Sequence, residues 1–400
     1  MATPKLRFKE FDRDWKQIKI SDYSDTVTSG SRDWAQYYSD KGDKFIRMTN
    51  LVRDGIYLDL SDLRFVDLPK DSNEGKRTSL QSGDILISIT AELGKLGWVQ
   101  DDLGTAYINQ HTALVRMSEK VDSKFIAYTL STEKYNNKLN NLNDSGAKAG
   151  LNLGTIRSFE LTIPQKIEQT KIASFLSAVD EKIRQLTQKH ELLSQYKQGM
   201  MQKLFSQQIR FNADEGSEFE EWDQKELKEV AQINPKAKKL PENFIYIDLE
   251  SVEKGQLLLE KNITLSEAPS RAQRLLAKGD VLFQMVRPYQ QNNYYFNLDG
   301  QYVASTGYAQ IRTELNSKFI YYAIHEKAFL DEVMNRCTGT SYPAINSSDL
   351  STIEIGIPCL EEQMKISNFL SAIDQKIEKV TQQIEETKQW KKGLLQQMFV

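Results

Sequence analysis

Two stretches of the chain repeat one alternation of apolar positions, at spacings of four and three. The first runs Ile172, Leu176, Val179, Ile183, Leu186, His190, Leu193, Lys197, Met200, Leu204. The second runs Ile366, Leu370, Ile373, Ile377, Val380, Ile384, Thr387, Lys391, Leu394, Met398. Each is a heptad a/d seam held for about five heptads, which predicts a long helix with one face buried against another helix. At 1.5 Å per residue, ~40 residues make a rod roughly 60 Å long. Both stretches open with Ile-Pro (Ile163-Pro164, Ile357-Pro358), and proline suits the first helical position because its missing N–H is unpaired there anyway. Helices are expected near 165–206 and from about 359.

The two stretches are copies. Glu160–Phe205 and Glu354–Phe399 align without a gap at about 22 identities in 46 positions. Both carry Glu-Gln four residues after the proline (Glu168-Gln169, Glu362-Gln363). Two copies are too few for a solenoid, so duplication of a larger module is the better reading. The obvious partner for each seam is the other copy, paired antiparallel about a pseudo-two-fold axis. One amphipathic helix per domain is the competing arrangement. Lys197 and Lys391 fall at equivalent a positions, where polar residues fix register or snorkel from a tapering end. His190 reads as a polar seam residue rather than a ligand.

The segments before the helices share punctuation more than sequence. Arg-Phe followed by Trp opens both (Phe8 to Trp15, Phe211 to Trp222), and "IRMTNLVRDG" at 46–55 faces "YIDLESVEKG" at 246–255. "SGDILIS" at 82–88 faces "KGDVLFQ" at 278–284, each a Gly-Asp turn running into a buried strand. "TALVRM" at 112–117 faces "YAQIRT" at 308–313 as another strand; "SKFIAYTL" at 123–130 faces "SKFIYYAI" at 317–324 as a helix capped by its serine. The fold class expected is α+β. Two mixed α/β domains, 1–160 and 208–355, alternate with helices at 161–207 and 356–400.

What differs between the domains is polar and loop-like. The first has "TSGSRDWAQYY" at 28–38 and "KYNNKLNNLNDSGAKAGLN" at 134–152. The second has "RPYQQNNYYFN" at 287–297 and "NRCTGTSYPAINSSD" at 335–349. Arg, Asn, Gln, Ser and Tyr are the side chains that read base edges and grip phosphates, although such loops are also ordinary solvated turns. The candidate DNA-binding residues are Ser31, Arg32, Gln36, Gln110 and Lys148 in the first domain. In the second they are Arg287, Tyr289, Gln290, Gln291, Asn292, Asn293, Thr340, Ser341 and Tyr342.

Composition narrows the class without deciding it. With 40% hydrophobic and 27% charged residues the chain reads as an ordinary globular protein. No apolar run approaches the roughly 18 residues of a membrane span. The first residues lack a signal-peptide core, which makes the cytoplasm the default. Cys337 and Cys359 offer neither a disulfide framework nor a metal quartet. The net charge is −3. Residues 214–221, "DEGSEFEE", hold five acids and no base, and without them the second domain is neutral. DNA binding would therefore need a local basic surface or basic partners.

Catalytic motifs are not apparent. No Asn/Asp-Pro-Pro-aromatic methylation motif or Gly-x-x-x-x-Gly-Lys-Ser/Thr loop occurs. His111, His190 and His325 show no ligand spacing. "LPKDSNEGK" at 68–76 only loosely echoes a nuclease, with Asp71 and Glu74 too close together.

The paired Ile-Pro…Glu-Gln…Phe-Leu…Asp-x-Lys-Ile helices, the Gly-Asp strands and the Arg-Phe…Trp openings together resemble the specificity subunit of type I restriction–modification enzymes, over the whole chain. The resemblance implies two target-recognition domains, each binding half of a split double-stranded DNA site. It implies an antiparallel helical spacer carrying two adenine methyltransferase (modification) subunits, which restriction/translocase subunits can join. It also implies that S-adenosylmethionine, ATP and Mg reside on those partners, with no cofactor and no catalysis on this chain. A non-enzymatic coiled-coil adaptor with two ligand-binding heads is the alternative; a self-contained nuclease or methyltransferase with degenerate motifs is a third.

Overall fold

A computed structural model describes residues 3–69, 75–142 and 150–400. Lys148, most of the loop at 145–150, and Asp71 and Glu74 lie outside the described residues. The chain divides into two compact units, Met1–Leu186 with Gln382–Val400, and Thr187–Thr381.

The two apolar seams form the long helices α1 (Lys166–Phe205) and α2 (Leu360–Met398). Proline is not at their first position. Pro164 and Pro358 instead follow short strands, Glu160–Ile163 and Glu354–Ile357, which pair antiparallel with Lys16–Lys19 and Asp223–Glu226. Lacking an N–H, each proline ends its ladder, and its carbonyl accepts from the Gln169 or Gln363 amide at 2.8 Å.

In the first unit the eight strands of the head make two four-stranded sheets. The strands are β1 (Ser24–Ser29), β2 (Tyr38–Ser39), β3 (Asp43–Ile46), β4 (Arg64–Val66), β5 (Ile85–Ser88), β6 (Leu96–Trp98), β7 (Ala106–Ile108) and β8 (Thr112–Met117). The sheet orders are β1-β8-β5-β6 and β2-β4-β3-β7. β5 is buried along its whole length. Ile85 and Ile87 join a core with Phe125, Tyr128 and the helix residues Ile172, Leu176, Leu394 and Met398. Leu86, of opposite parity, packs with Ile46, Ala106 and Ile108 in the other sheet. Covering both faces is what selects an uninterrupted apolar run over an alternating one.

The second unit repeats the plan with β9 (Gln232–Ile233), β10 (Asn243–Ile247), β11 (Lys261–Thr264), β12 (Ala272–Leu275), β13 (Val281–Gln284), β14 (Tyr294–Tyr295), β15 (Tyr302–Ser305) and β16 (Tyr308–Arg312). Its sheets run β9-β16-β13-β14 and β11-β10-β15-β12. β3 and β10 pair parallel with β7 and β15 respectively. The sheets differ at one edge: β2 lies outside β4 in the first unit, whereas β12 lies outside β15 in the second.

Three polar clamps recur in both units. Gly83 (φ +84) and Gly279 (φ +90) turn the chain into Asp84 and Asp280, whose buried carboxylates take a bidentate fork from Arg116 and Arg312 with every N···O at 2.7 Å. Glu168 takes the Arg7 fork at 2.8 Å and the Trp15 indole N–H, as Glu362 does from Arg210 and Trp222. Gln169 and Gln363 accept the backbone N–H of Asp122 and Asn316. Those two residues, not the serines after them, cap helices Ser123–Ser131 and Ser317–Ala323, accepting from Phe125 and Phe319 N–H at 3.0 Å.

Within each unit the helix segments run antiparallel. In the first, the early residues of α1 (Ile172 to Val179) share a core with the last of α2 (Leu394 to Phe399). In the second, Leu204, near the end of α1, shares a core with Ile366, Leu370 and Ile373, near the start of α2. Leu176, Val179, Leu186, Leu370, Ile373, Val380 and Ile384 are buried; Ile183, Leu193 and Ile377 are half-buried. No helix among the described residues is long and apolar enough to cross a membrane.

Candidate nucleic-acid interface

In the second unit two loops far apart in sequence meet. β13 ends at the buried Gln284, and the chain then turns through a short 3-10 helix at Pro288–Gln290. The other loop is a hairpin closed by two bonds between Thr338 and Ala344, at 2.9 and 3.0 Å. Val286 bridges Ala344, and Arg287 N–H donates to the Pro343 carbonyl at 2.7 Å. The Arg287 guanidinium lies over the Tyr342 ring, 4.3 Å from its centre. Tyr289 (51% exposed) and Tyr342 (63% exposed) stand out from the surface, with Gln290, Thr340 and Ser341 also exposed. A cation, amides, hydroxyls and aromatic faces are thus collected on one patch.

The amides of this loop divide into builders and free groups. Asn293 is 1% exposed, and its carbonyl oxygen accepts from Gln284 N–H at 2.8 Å. Asn292 accepts from Lys254 N–H and donates its own backbone N–H to the Gln284 side chain, both at 3.0 Å. Gln284 in turn donates to Gln290 Oε1 at 2.9 Å, which leaves the Gln290 NH₂ pointing its donors elsewhere. Gln291, at φ +51, is half-buried at the turn. Gln284 did not figure among the expected residues. A polar side chain ending the apolar run "VLF" was the signal for it.

The first unit shows the same framework with different side chains. Thr90 bridges Gly150, and Leu151 N–H donates to Ile89 O, matching Val286 with Ala344 and Ile345 with Met285. Ser31 bridges Asn109, and Gln110 contacts the His111 ring, whose Nδ1 lies 2.8 Å from Thr90 Oγ1. Ser31, Gln110 and the unanticipated Thr90 and His111 are therefore linked in one network. Arg32 and Gln36 are exposed, and the Gln36 amide donates to Asp33 O. The segment at 134–152 is not all loop: Glu133–Asn141 is a helix, with Tyr135 and Leu139 buried at i, i+4.

No group of three or more His, Cys, Asp or Glu among the described residues is placed to hold a metal. His325, the histidine nearest the second patch, is half-buried and pushed down to about 4, first by desolvation. Its Nδ1 donates to the Tyr321 carbonyl at 2.6 Å, so it is a neutral residue.

The family model for the type I restriction modification DNA specificity domain matches the chain twice, over residues 12–195 and 219–389. The chain belongs to the type I restriction–modification DNA specificity family. It is a DNA-specificity subunit of such an enzyme, a recognition component rather than a catalytic one, and its two family domains suit a site read in two parts. Among relatives, it is 23% identical to the type I restriction enzyme MjaVIII specificity subunit of Methanocaldococcus jannaschii, over 94% of this chain and 90% of that one. It is 25% identical to the putative MjaX specificity subunit of the same organism, over 96% and 93%. The solved S subunit from M. genitalium shares its fold, with a TM-score of 0.64 at 16% identity and 100% and 99% coverage.

Proposed function

We propose that residues 1–160 and 208–355 are two target-recognition domains, each reading one half of a bipartite double-stranded DNA site. The helices at 161–207 and 356–400 then set the spacing of the half-sites. In the second domain Arg287, Tyr289, Gln290, Thr340, Ser341 and Tyr342 face the DNA; Gln291, Asn292 and Asn293 shape the loop. In the first, Ser31, Arg32, Gln36, Gln110 and Lys148 serve the same end. The observation that carries this reading is the shared framework with unlike side chains. The bridge of Thr90 with Gly150 recurs as Val286 with Ala344 above clamps repeated in both heads, so each head can carry its own sequence preference on one scaffold.

Two modification subunits bind the repeated helices, and restriction/translocase subunits join them in the cytoplasm. S-adenosylmethionine, ATP and Mg reside on those partners. Methylome sequencing of cells with and without this gene tests the reading: a bipartite methylated motif should vanish with the gene. Purified alone, the chain should neither methylate nor cut DNA, and S-adenosylmethionine binding by the isolated chain would count against this division of labour.

A further inference from the structure

Arg210, Arg312 and Arg336 of the second unit each pair with a carboxylate. Arg271, Arg274 and Arg287 do not among the described residues, and of these three Arg287 is the one whose guanidinium is stacked on an aromatic ring. It is nevertheless held. Its backbone sits in the left-handed region at φ +54, a conformation that non-glycine residues keep only where the surroundings over-determine it. Here its N–H is bonded to Pro343 O and its carbonyl accepts from Gln290 N–H. The face of the guanidinium is covered by Tyr342, which restrains its plane and leaves its N–H edges free.

The equivalent position in the first unit is Ala91, also left-handed at φ +56. The left-handed turn is therefore common to both heads, and the arginine belongs to one. The segments 287–297 and 338–344 contain no other basic residue. A surface that grips the DNA backbone uses many cations; here the loops supply one oriented fork among amides and aromatics, with Lys254 beside them through its backbone bond to Asn292, and such a fork suits a planar pair of acceptors.

We propose that Arg287 reads a guanine in the major groove, donating to its O6 and N7, with Tyr342 as the positioning residue that fixes the plane of the fork. This rests on the DNA-reading role proposed above and names the base and the side chain that reads it. It confines the dependence to one half-site.

The test uses the full chain assembled with its modification subunits and duplexes carrying the methylome-defined site. Each guanine of either half-site is replaced in turn by 7-deazaguanine, which lacks the N7 acceptor. Wild-type binding should fall about tenfold to a hundredfold at one guanine. Arg287→Ala and Arg287→Lys should weaken binding to the natural duplex by a similar factor and lose nothing further at that guanine. Tyr342→Ala should blunt the response and Tyr342→Phe retain it. Equal weakening on every duplex, scrambled half-sites included, would make Arg287 a phosphate contact and overturn the proposal. So would a wild-type protein indifferent to every 7-deazaguanine, a readout needing no variant to fold. A gene-dependent bipartite motif without any G·C pair would overturn the guanine assignment alone. Absence of any gene-dependent motif would instead strike the DNA-reading role beneath it.

Discussion

Lys391 donates to Asp180 at 2.5 Å, and the equivalent Lys197 donates to Asp374 at 2.6 Å in the second unit. Each aspartate also accepts a tyrosine hydroxyl from its head, Tyr128 at 2.6 Å and Tyr322 at 2.7 Å. The lysines at a positions are thus neither idle register markers nor snorkelling ends. Each joins one helix segment to the other and both to the head. Because both members of the first pair are nearly buried, Lys391→Ala strands a carboxylate. The expected loss is about 1–3 kcal/mol of stability, measurable as the coupling in a thermal double-mutant cycle with Asp180→Ala. A coupling near zero would reduce the pair to decoration.

The Glu168 clamp should matter more. Its carboxylate is buried and satisfies both Arg7 and Trp15. Glu168→Ala leaves the Arg7 Nε–H and an indole N–H unpaired together, with Arg7 Nη2 keeping only the Arg13 carbonyl, for about 3 kcal/mol. Glu362→Ala should do the same to Arg210 and Trp222. Denaturant titration of each variant checks the equivalence; a loss in one unit only would mean that the clamps are not functional copies.

Acid should weaken the second unit through His325. Its ring is held at about 4 by burial, with Lys197 reinforcing and the Tyr321 carbonyl and Asp374 opposing. The unfolded ring titrates near 6.5. Between these values the unfolded chain binds a proton that the folded site refuses. Stability from this group is therefore intact above about 6.5, falls as pH drops, and levels off below about 4, for a total of about 3 kcal/mol. His325→Gln should flatten that part of the stability profile. An unchanged slope would assign the acid sensitivity elsewhere.

Asn293 and Gln290 should separate on mutation although they are near neighbours of similar chemistry. Asn293→Ala leaves the Gln284 N–H buried and unpaired, costing about 1–3 kcal/mol of stability. Gln290→Ala also removes the acceptor of the Gln284 side-chain amide, but on the exposed side of the loop, so it should cost stability less than Asn293→Ala does and relax one half-site position. Finding the specificity change with Asn293 and none with Gln290 would reverse their roles.

Spacing should follow helix length. Matched heptads inserted after Leu186 and Val380 preserve both seams and add about 10 Å of helix, roughly three base pairs of DNA rise. The methylated motif should gain spacer or disappear, with each half-site unaltered. An unchanged spacer at normal activity would show that the helices do not set it.

The sequence by itself favoured an antiparallel partner over one amphipathic helix per domain, and it determined the duplication and the two long helices. Those follow from periodicity, which local composition carries along tens of residues. It also placed the buried strands after Gly-Asp, because an apolar run with a left-handed turn before it has few alternatives. Its misreadings were local contests settled by long-range partners. Pro164 looked like a helix start because pairing of Glu160–Ile163 with Lys16–Lys19 is invisible in the residues around it. Ser123 looked like a cap because the preceding Asp122, fixed by Gln169, wins the competition for the Phe125 N–H. Tertiary structure alone decided which polar residues are spent inside the fold and which remain free. Arg312 and Arg287 are the same side chain on the same kind of loop-and-strand background. Only the folded chain puts Asp280 against one and Tyr342 against the other, because hydrogen bonds and stacking depend on distances that no spacing along the chain encodes.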